Sequence, residues 1–151
     1  SLEDLSSSKL EKVFQEGETR VYENKDALPR AFFVEEVKVV EGKNDAIKEF
    51  FQSNFMPTKT AVVEKSLGVD TNPPSRWTKG TVKIAHYSEN KIVLNTKNTG
   101  DGFLVLTDSY YPTWHAAVDG IEAKIYRTDY NFRGIMVLKG KHTVTFYNSL
   151  L

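Results

Sequence analysis

The densest run of chemistry-bearing side chains is Leu106-Thr107-Asp108-Ser109-Tyr110-Tyr111-Pro112-Thr113-Trp114. Three aromatic rings and a proline fall where the pattern reads as a loop between two strands, a place with no evident need of apolar bulk. Aromatic faces stack on the C–H faces of sugar rings, and a neighbouring carboxylate such as Asp108 accepts hydrogen bonds from hydroxyls. Trp77, in a proline-rich loop, is a second candidate for an exposed ring. Asp108, Tyr110, Tyr111, Trp114 and Trp77 are therefore candidate ligand-binding residues. The competing account is structural: Trp114 and one tyrosine plug the end of a β-sandwich, with the hydroxyl tied to backbone.

Arginines supply the complementary chemistry. Arg30 follows Pro29, which stiffens the chain there, and it can pair with Asp108 or Glu23 to clamp the N-terminal segment onto the rest. A sharper reading gives Arg30, Arg127 and Arg133 the recognition of an acidic or phosphorylated glycan, since a guanidinium fork fits phosphate geometry. The histidines, His86, His115 and His142, are spaced 29 and 27 residues apart, so none forms the close pair that ready-made zinc motifs use. His115 lies four residues before Asp119, with Asp108 close in sequence, which makes a metal or acid–base cluster conceivable. The simpler assignment makes the two aspartates turn residues and His115 a strand side chain. There is no Gly-x-Ser-x-Gly elbow, P-loop or Gly-x-Gly-x-x-Gly run. A glycosidase built on two carboxylates depends on a spatial separation that sequence does not display. No catalytic residue, metal or cofactor is assigned.

Those residues need a scaffold, and composition bounds it. The chain has 151 residues, 20 Lys+Arg, 20 Asp+Glu, no Cys and zero formal net charge. That length fits one domain and buries roughly 70% of its unfolded surface. A hydrophobic content of 40% with 26% charged residues excludes wholesale disorder. Without cysteine there is neither disulfide framework nor thiolate site. Basic residues are interleaved with acids, Lys38 with Glu36, Lys65 with Glu64, Lys124 with Glu122, which argues against nucleic acid as a partner. No window reaches the roughly 20 apolar residues of a membrane helix. The start at Ser1-Leu2-Glu3-Asp4 suggests a piece of a longer protein, and the uncharged run from His142 to Leu151 reads either as the approach to a membrane segment or as a frayed end.

Patterning predicts a mainly β fold: an antiparallel, jelly-roll-like β-sandwich over residues 11–151, after a flexible lead-in at 1–10, with one helix packed on it. Lys12–Gln15 and Glu18–Glu23 flank a hairpin turn, and Asn24 to Pro29 is a turn-rich connection. Ala31–Val40 reads as one long buried strand. Asn44 is the expected N-cap of a helix over Asp45–Asn54, whose stripe of Ile47, Phe50, Phe51 and Phe55 faces the sheet. Thr60–Glu64 is a short strand, and Leu67–Lys79 a loop around Asn72-Pro73-Pro74. Beyond Gly80 come strands at Thr81–Tyr87, Lys91–Thr96, Phe103–Thr107, His115–Val118, Glu122–Tyr126, Gly134–Leu138 and Thr143–Tyr147. Asp119-Gly120 is the signature of a two-residue type I′ hairpin.

Two blocks of sequence carry a resemblance. Val21-Tyr22-Glu23-Asn24-Lys25-Asp26-Ala27-Leu28-Pro29-Arg30-Ala31-Phe32 resembles the VYEN-x-x-ALPRA segment of the YfhO family of large polytopic bacterial membrane proteins. Gly102 to Phe146 is similar to the C-terminal non-membrane region of the same family, through Leu104–Pro112, Trp114, Val118-Asp119-Gly120, Tyr126-Arg127, Asn131-Phe132-Arg133-Gly134 and Gly140–Val144. One departure is Thr113, where the family usually has Gly before the Trp; threonine resists the positive φ that glycine permits.

The resemblance implies a domain on the extracytoplasmic face of the bacterial membrane, tethered by flanking spans, in a protein linked to glycosyl transfer from lipid-linked sugars. It implies catalytic acids elsewhere in that protein and none in this chain. The expected function is a non-catalytic module supporting glycosylation of a cell-envelope polymer by binding, positioning or shielding the acceptor, glycan binding being one such mode. The implied partners are transmembrane segments of the same polypeptide and an envelope glycan or glycolipid. The alternatives are a purely structural domain packed on its own transmembrane bundle, and a self-sufficient carbohydrate-active hydrolase.

Overall fold

The computed structural model describes residues 10–24, 27–65 and 76–150. The lead-in at 1–9, the core of the Asn72-Pro73-Pro74 loop and part of the turn before Pro29 lie outside these residues. A five-stranded sheet holds β6 (Thr81–Tyr87), β7 (Lys91–Asn98), β9 (Trp114–Val118), β10 (Ile121–Ala123) and β13 (Gly140–Asn148), in the order β10-β9-β13-β7-β6. A six-stranded sheet holds β3 (Ala31–Val34), β4 (Glu36–Val40), β5 (Thr60–Glu64), β8 (Gly102–Leu106), β11 (Tyr126–Thr128) and β12 (Phe132–Val137), in the order β3-β8-β12-β11-β5-β4. β1 (Leu10–Glu16) and β2 (Thr19–Asn24) form a separate hairpin. The fold is mainly β with a single helix among the described residues, α1 (Lys43–Phe50). All strand pairs are antiparallel except β4 with β5.

Alternation along the strands builds the core between the sheets. Ile92 and Leu94 of β7, Ala116 of β9, and Val144 and Phe146 of β13 face Phe33, Leu104, Leu106, Ile135 and Val137 of the other sheet. Strand β8 is buried along its whole length. Its Leu104 and Leu106 serve that core, while Phe103 and Val105 point the other way, into a second cluster with Phe32, Val34, Ala61, Val63, Trp77 and Tyr126. A strand buried on both faces must be continuously apolar, as Phe103-Leu104-Val105-Leu106 is.

The segment Ala31–Val40 is two strands rather than one. Glu35 alone separates β3 from β4, yet those strands occupy opposite edges of the six-stranded sheet. The sheet therefore curls until its two edges are joined by the chain itself, around the second apolar cluster. At the bend, both Glu35 N–H and Glu36 N–H donate to Lys59 O, and Trp77 N–H donates to Glu35 O. A hydrophobic run conveys burial but not a bend at one residue within it.

The helix begins two residues earlier than expected and ends four earlier. Gly42 occupies the N-cap in place of Asn44 and supplies no side-chain cap. Only Ala46 of the helix is fully buried, and Phe51 is exposed. Phe50, Phe51 and Phe55 cluster instead with Tyr130, Phe50 lying 5.2 Å from the Tyr130 ring and Phe51 5.5 Å from it. The expected strand Glu122–Tyr126 is also divided, Ala123 ending β10 in one sheet and Tyr126 opening β11 in the other. The Asp119-Gly120 turn is as expected, with φ of +51° and +81°.

Candidate functional site

Four strand ends converge on the segment after β8. Arg30 leads into β3, Tyr87 closes β6, Trp114 opens β9 and Arg133 lies near the start of β12. The Arg30 guanidinium donates to Tyr87 Oη at 2.6 Å and to Asp108 Oδ1 at 2.9 Å, and its carbon lies 4.2 Å from the Tyr87 ring centroid. Tyr87 Oη also lies 3.3 Å from Asp108 Oδ2. The backbone completes the clamp: Thr107 N–H donates to Arg30 O at 2.8 Å, and Thr107 Oγ1 bonds the carbonyls of Pro29 and Arg30. Because β3 and β6 belong to different sheets, this cluster fastens the two sheets together at one end.

Beside it, Arg133 is buried and lies 3.9 Å from the Trp114 ring centroid, a cation–π contact shielded from water. Its Nε donates to Ser109 O at 2.9 Å, while its buried Nη1 has no hydrogen-bond partner among the described residues. Burial pulls the Arg133 pKa below its usual value, opposed by the nearby charge of Asp108. Arg127 repeats the theme, 4.7 Å from the Tyr110 ring and 3.9 Å from Glu64 Oε2, too far for a hydrogen bond. Burial raises the Glu64 pKa, an effect that Arg127 and then Lys43 offset.

The loop itself is anchored at several points. Tyr110 N–H donates to Asn131 O, Trp114 N–H to Tyr111 O, and Ser149 N–H to Thr113 O. Thr113 is not among the residues with positive φ, so the threonine fits the backbone without strain. Tyr111 is 60% exposed, the most open ring of the segment.

Of the residues singled out in the sequence, Arg30, Asp108, Tyr110, Tyr111, Trp114, Arg127 and Arg133 are all placed around this one end. Trp77 is not. It is buried, 5.9 Å from the Phe103 ring in the second apolar cluster, so the expected exposed ring is a core residue. Its loop returns to the sheet through the Trp77 N–H bond to Glu35 O, a pairing that proline content nearby gave no reason to expect. Tyr87 and Glu64 belong to the arrangement but carried no local signal; Tyr87 is 57 residues from Arg30 in sequence.

Asp119 does not meet His115. It is held by His142, whose Nδ1 lies 2.5 Å from Asp119 Oδ2, while Thr143 N–H donates to Oδ1. His115 stacks instead on Tyr147, its register partner, at 5.4 Å. No three His, Asp or Glu side chains gather to hold a metal among the described residues. None of their helices is long and apolar enough to cross a membrane.

Residues 75–148 match the family model described as bacterial membrane protein YfhO. That span takes in β6 to β13 and most of the convergent end, leaving out Pro29, Arg30, Glu64 and Ser149. No curated protein and no solved structure matches the chain.

Proposed function

Residues 75–148 belong to the YfhO family of bacterial membrane proteins, and from that premise we propose that the chain is a non-catalytic module on the extracytoplasmic face of such a protein, where it holds a cell-envelope glycan for glycosylation. The observation that carries this reading is the open Tyr111 ring three residues along the chain from Asp108, whose carboxylate pairs with the half-exposed Arg30 guanidinium. An aromatic face accepts the C–H face of a sugar, the carboxylate accepts from its hydroxyls, and the guanidinium suits an acidic substituent. Buried Arg133 ties the loop down through Ser109 O and the partly buried Trp114 ring. Transmembrane segments of the same polypeptide would present this end to the polymer.

The test is a ¹H–¹⁵N titration of the chain with envelope sugars and glycerol-phosphate oligomers. Saturable shifts at Tyr110, Tyr111 and the Trp114 indole, lost in Tyr111→Ala, are the expected result. Flat spectra at millimolar ligand would overturn it.

A specific observation favours a second, structural reading. Arg133 already covers one face of Trp114 and Arg127 lies against Tyr110, while Phe51 and Met56 leave apolar surface at the helix end. Under this reading the module packs on its own membrane bundle and binds no sugar. Retained glycosylation in a full-length Tyr111→Ala protein, with loss of assembly on Phe51→Ser, would establish it.

A further inference from the structure

The outer face of the five-stranded sheet is far from the Asp108–Trp114 segment in its chemistry. Strands β6, β7 and β13 present Lys83, Lys97 and Lys141 across a groove of about 440 Å³. Lys97 and Lys141 are direct register partners, and Lys83 lies opposite Asn95, two residues along β7. Like charges directly opposite each other on neighbouring strands oppose pairing. None of the three ammonium groups has a carboxylate partner among the described residues.

The groove's one carboxylate, Asp119, is already engaged by His142 and by Thr143 N–H. The other His142 ring nitrogen, Nε2, faces Lys139 O at 3.1 Å. With an acceptor against each ring nitrogen, the protonated ring is the form that satisfies both contacts, and in that form it neutralises Asp119. The three lysines outnumber that single carboxylate and make the groove positive in a chain whose formal net charge is zero. Thr81, Asn95 and Thr143 line the same surface with groups that bond hydroxyls.

We propose that this groove binds an acidic glycan, a sugar chain whose carboxylate or phosphate groups sit over the Lys97–Lys141 pair and over Lys83, with its hydroxyls on Asn95 and Thr143. Diagonal neighbours on adjacent strands stand roughly 7–8 Å apart, a spacing that two charged groups on successive sugars can match. The site is separate from the Tyr111 end and does not rest on that reading.

The experiment is a ¹H–¹⁵N titration of the chain with tetragalacturonate, with its uncharged methyl ester, and with fructose 1,6-bisphosphate to separate phosphate from carboxylate. The expected result is saturable shifts at Asn95, Lys97, Lys141 and Thr143 with at least one charged probe and none with the ester, weakening as salt rises from 50 to 500 mM. Lys97→Gln combined with Lys141→Gln should weaken binding at least about tenfold without lowering the unfolding temperature, since the repulsion is removed with the charges. Should the double variant fold poorly, Lys83→Gln alone carries the same test. Equal binding of the ester, indifference to salt, or unchanged affinity in the lysine variants overturns the proposal. So does binding to vesicles containing phosphatidylglycerol that depends on these lysines while all three sugars leave the groove unshifted. The Trp114 indole signal reports the other end independently, so either site can fail alone.

Discussion

Arg30 and Asp108 are 78 residues apart in sequence and 2.9 Å apart in space, and their ion pair is one of the contacts that hold the two sheets at a common end. Arg30 keeps 45% of its side chain exposed, so water screens the charge and the pair is worth little by itself. A double-mutant cycle of Arg30→Met and Asp108→Asn should give a coupling of about 0.5–1 kcal/mol that shrinks in 1 M salt. A coupling near zero would show that Tyr87, which also bonds Arg30, does the fastening.

Trp114 and Tyr111 should separate cleanly by substitution. Trp114 packs against the inter-sheet core and covers the buried Arg133 guanidinium, so Trp114→Ala should cost about 3 kcal/mol in urea unfolding. Tyr111 is mostly in water, and Tyr111→Ala should change stability by less than about 0.5 kcal/mol. Loss of glycan affinity in Tyr111→Ala therefore reports recognition, whereas the same loss in Trp114→Ala reports unfolding as well.

Much of this arrangement was legible along the chain, and the limits have physical causes. Alternation in β7 and β13 and the wholly apolar β8 carry strand identity because burial of each face is a local property of composition. Asp119-Gly120 specifies its turn because both positions need positive φ. Asp108 was one of two partners that the sequence offered Arg30, the other being Glu23. The bend at Glu35 was not legible, since the backbone bonds to Lys59 and Trp77 that stabilise it come from distant segments. Trp77 shows the same limit. A tryptophan near prolines is exposed or buried according to which sheet its loop crosses, and here it closes the cluster above Phe103. His142 rather than His115 meets Asp119 because β13 lies beside β9, a neighbour relation that sequence order does not contain.

Gly134 should tolerate no side chain. It pairs with Val105 on one side and Tyr126 on the other, and a Cβ built there would collide with Thr128 Oγ1 and the Phe103 ring. Both neighbours are buried and have little room to move. Gly134→Ala should cost about 2–3 kcal/mol, read as a lower urea midpoint with an unchanged slope.

The His142–Asp119 contact should appear as two displaced titrations. The Asp119 hydrogen bond raises the His142 pKa, helped by Lys139 O, and the His142 and Thr143 bonds lower the Asp119 pKa. The histidine's contribution is whole below the ordinary imidazole range and is lost as pH rises through its raised value. The aspartate's is whole above the ordinary carboxylate range and is lost as pH falls through its lowered value. The β9–β10 turn is thus best held between those limits. In ¹H NMR the His142 ring should titrate above its ordinary value in the native chain and return to it in Asp119→Asn; an unmoved midpoint would dissolve the pair.

Asp129 should make the fold weaker as pH rises from acid to neutral. It sits between β11 and β12 at φ +48°, fully buried, with its N–H donating to Val62 O at 2.7 Å and its Oδ1 accepting from Val62 N–H at 2.9 Å. Its Oδ2 has no hydrogen-bond partner among the described residues. Burial pushes the carboxyl up to about 7, against the smaller opposing pull of the Val62 N–H. Unfolded, the group ionises near 3.8, so between 3.8 and about 7 the folded chain holds a proton that the unfolded chain has lost. The stability tied to that proton is complete below the lower value, declines as pH rises, and is gone once pH passes the upper one. Asparagine keeps the acceptor for Val62, tolerates the left-handed backbone and cannot ionise. Asp129→Asn should therefore match the parent near pH 4 and exceed it by up to about 4 kcal/mol at pH 8 in urea unfolding. Subtracting one curve from the other removes His142 and every other titrating group common to both. A difference that stays constant from pH 4 to 8 would show that the Asp129 carboxylate is accommodated in its charged form.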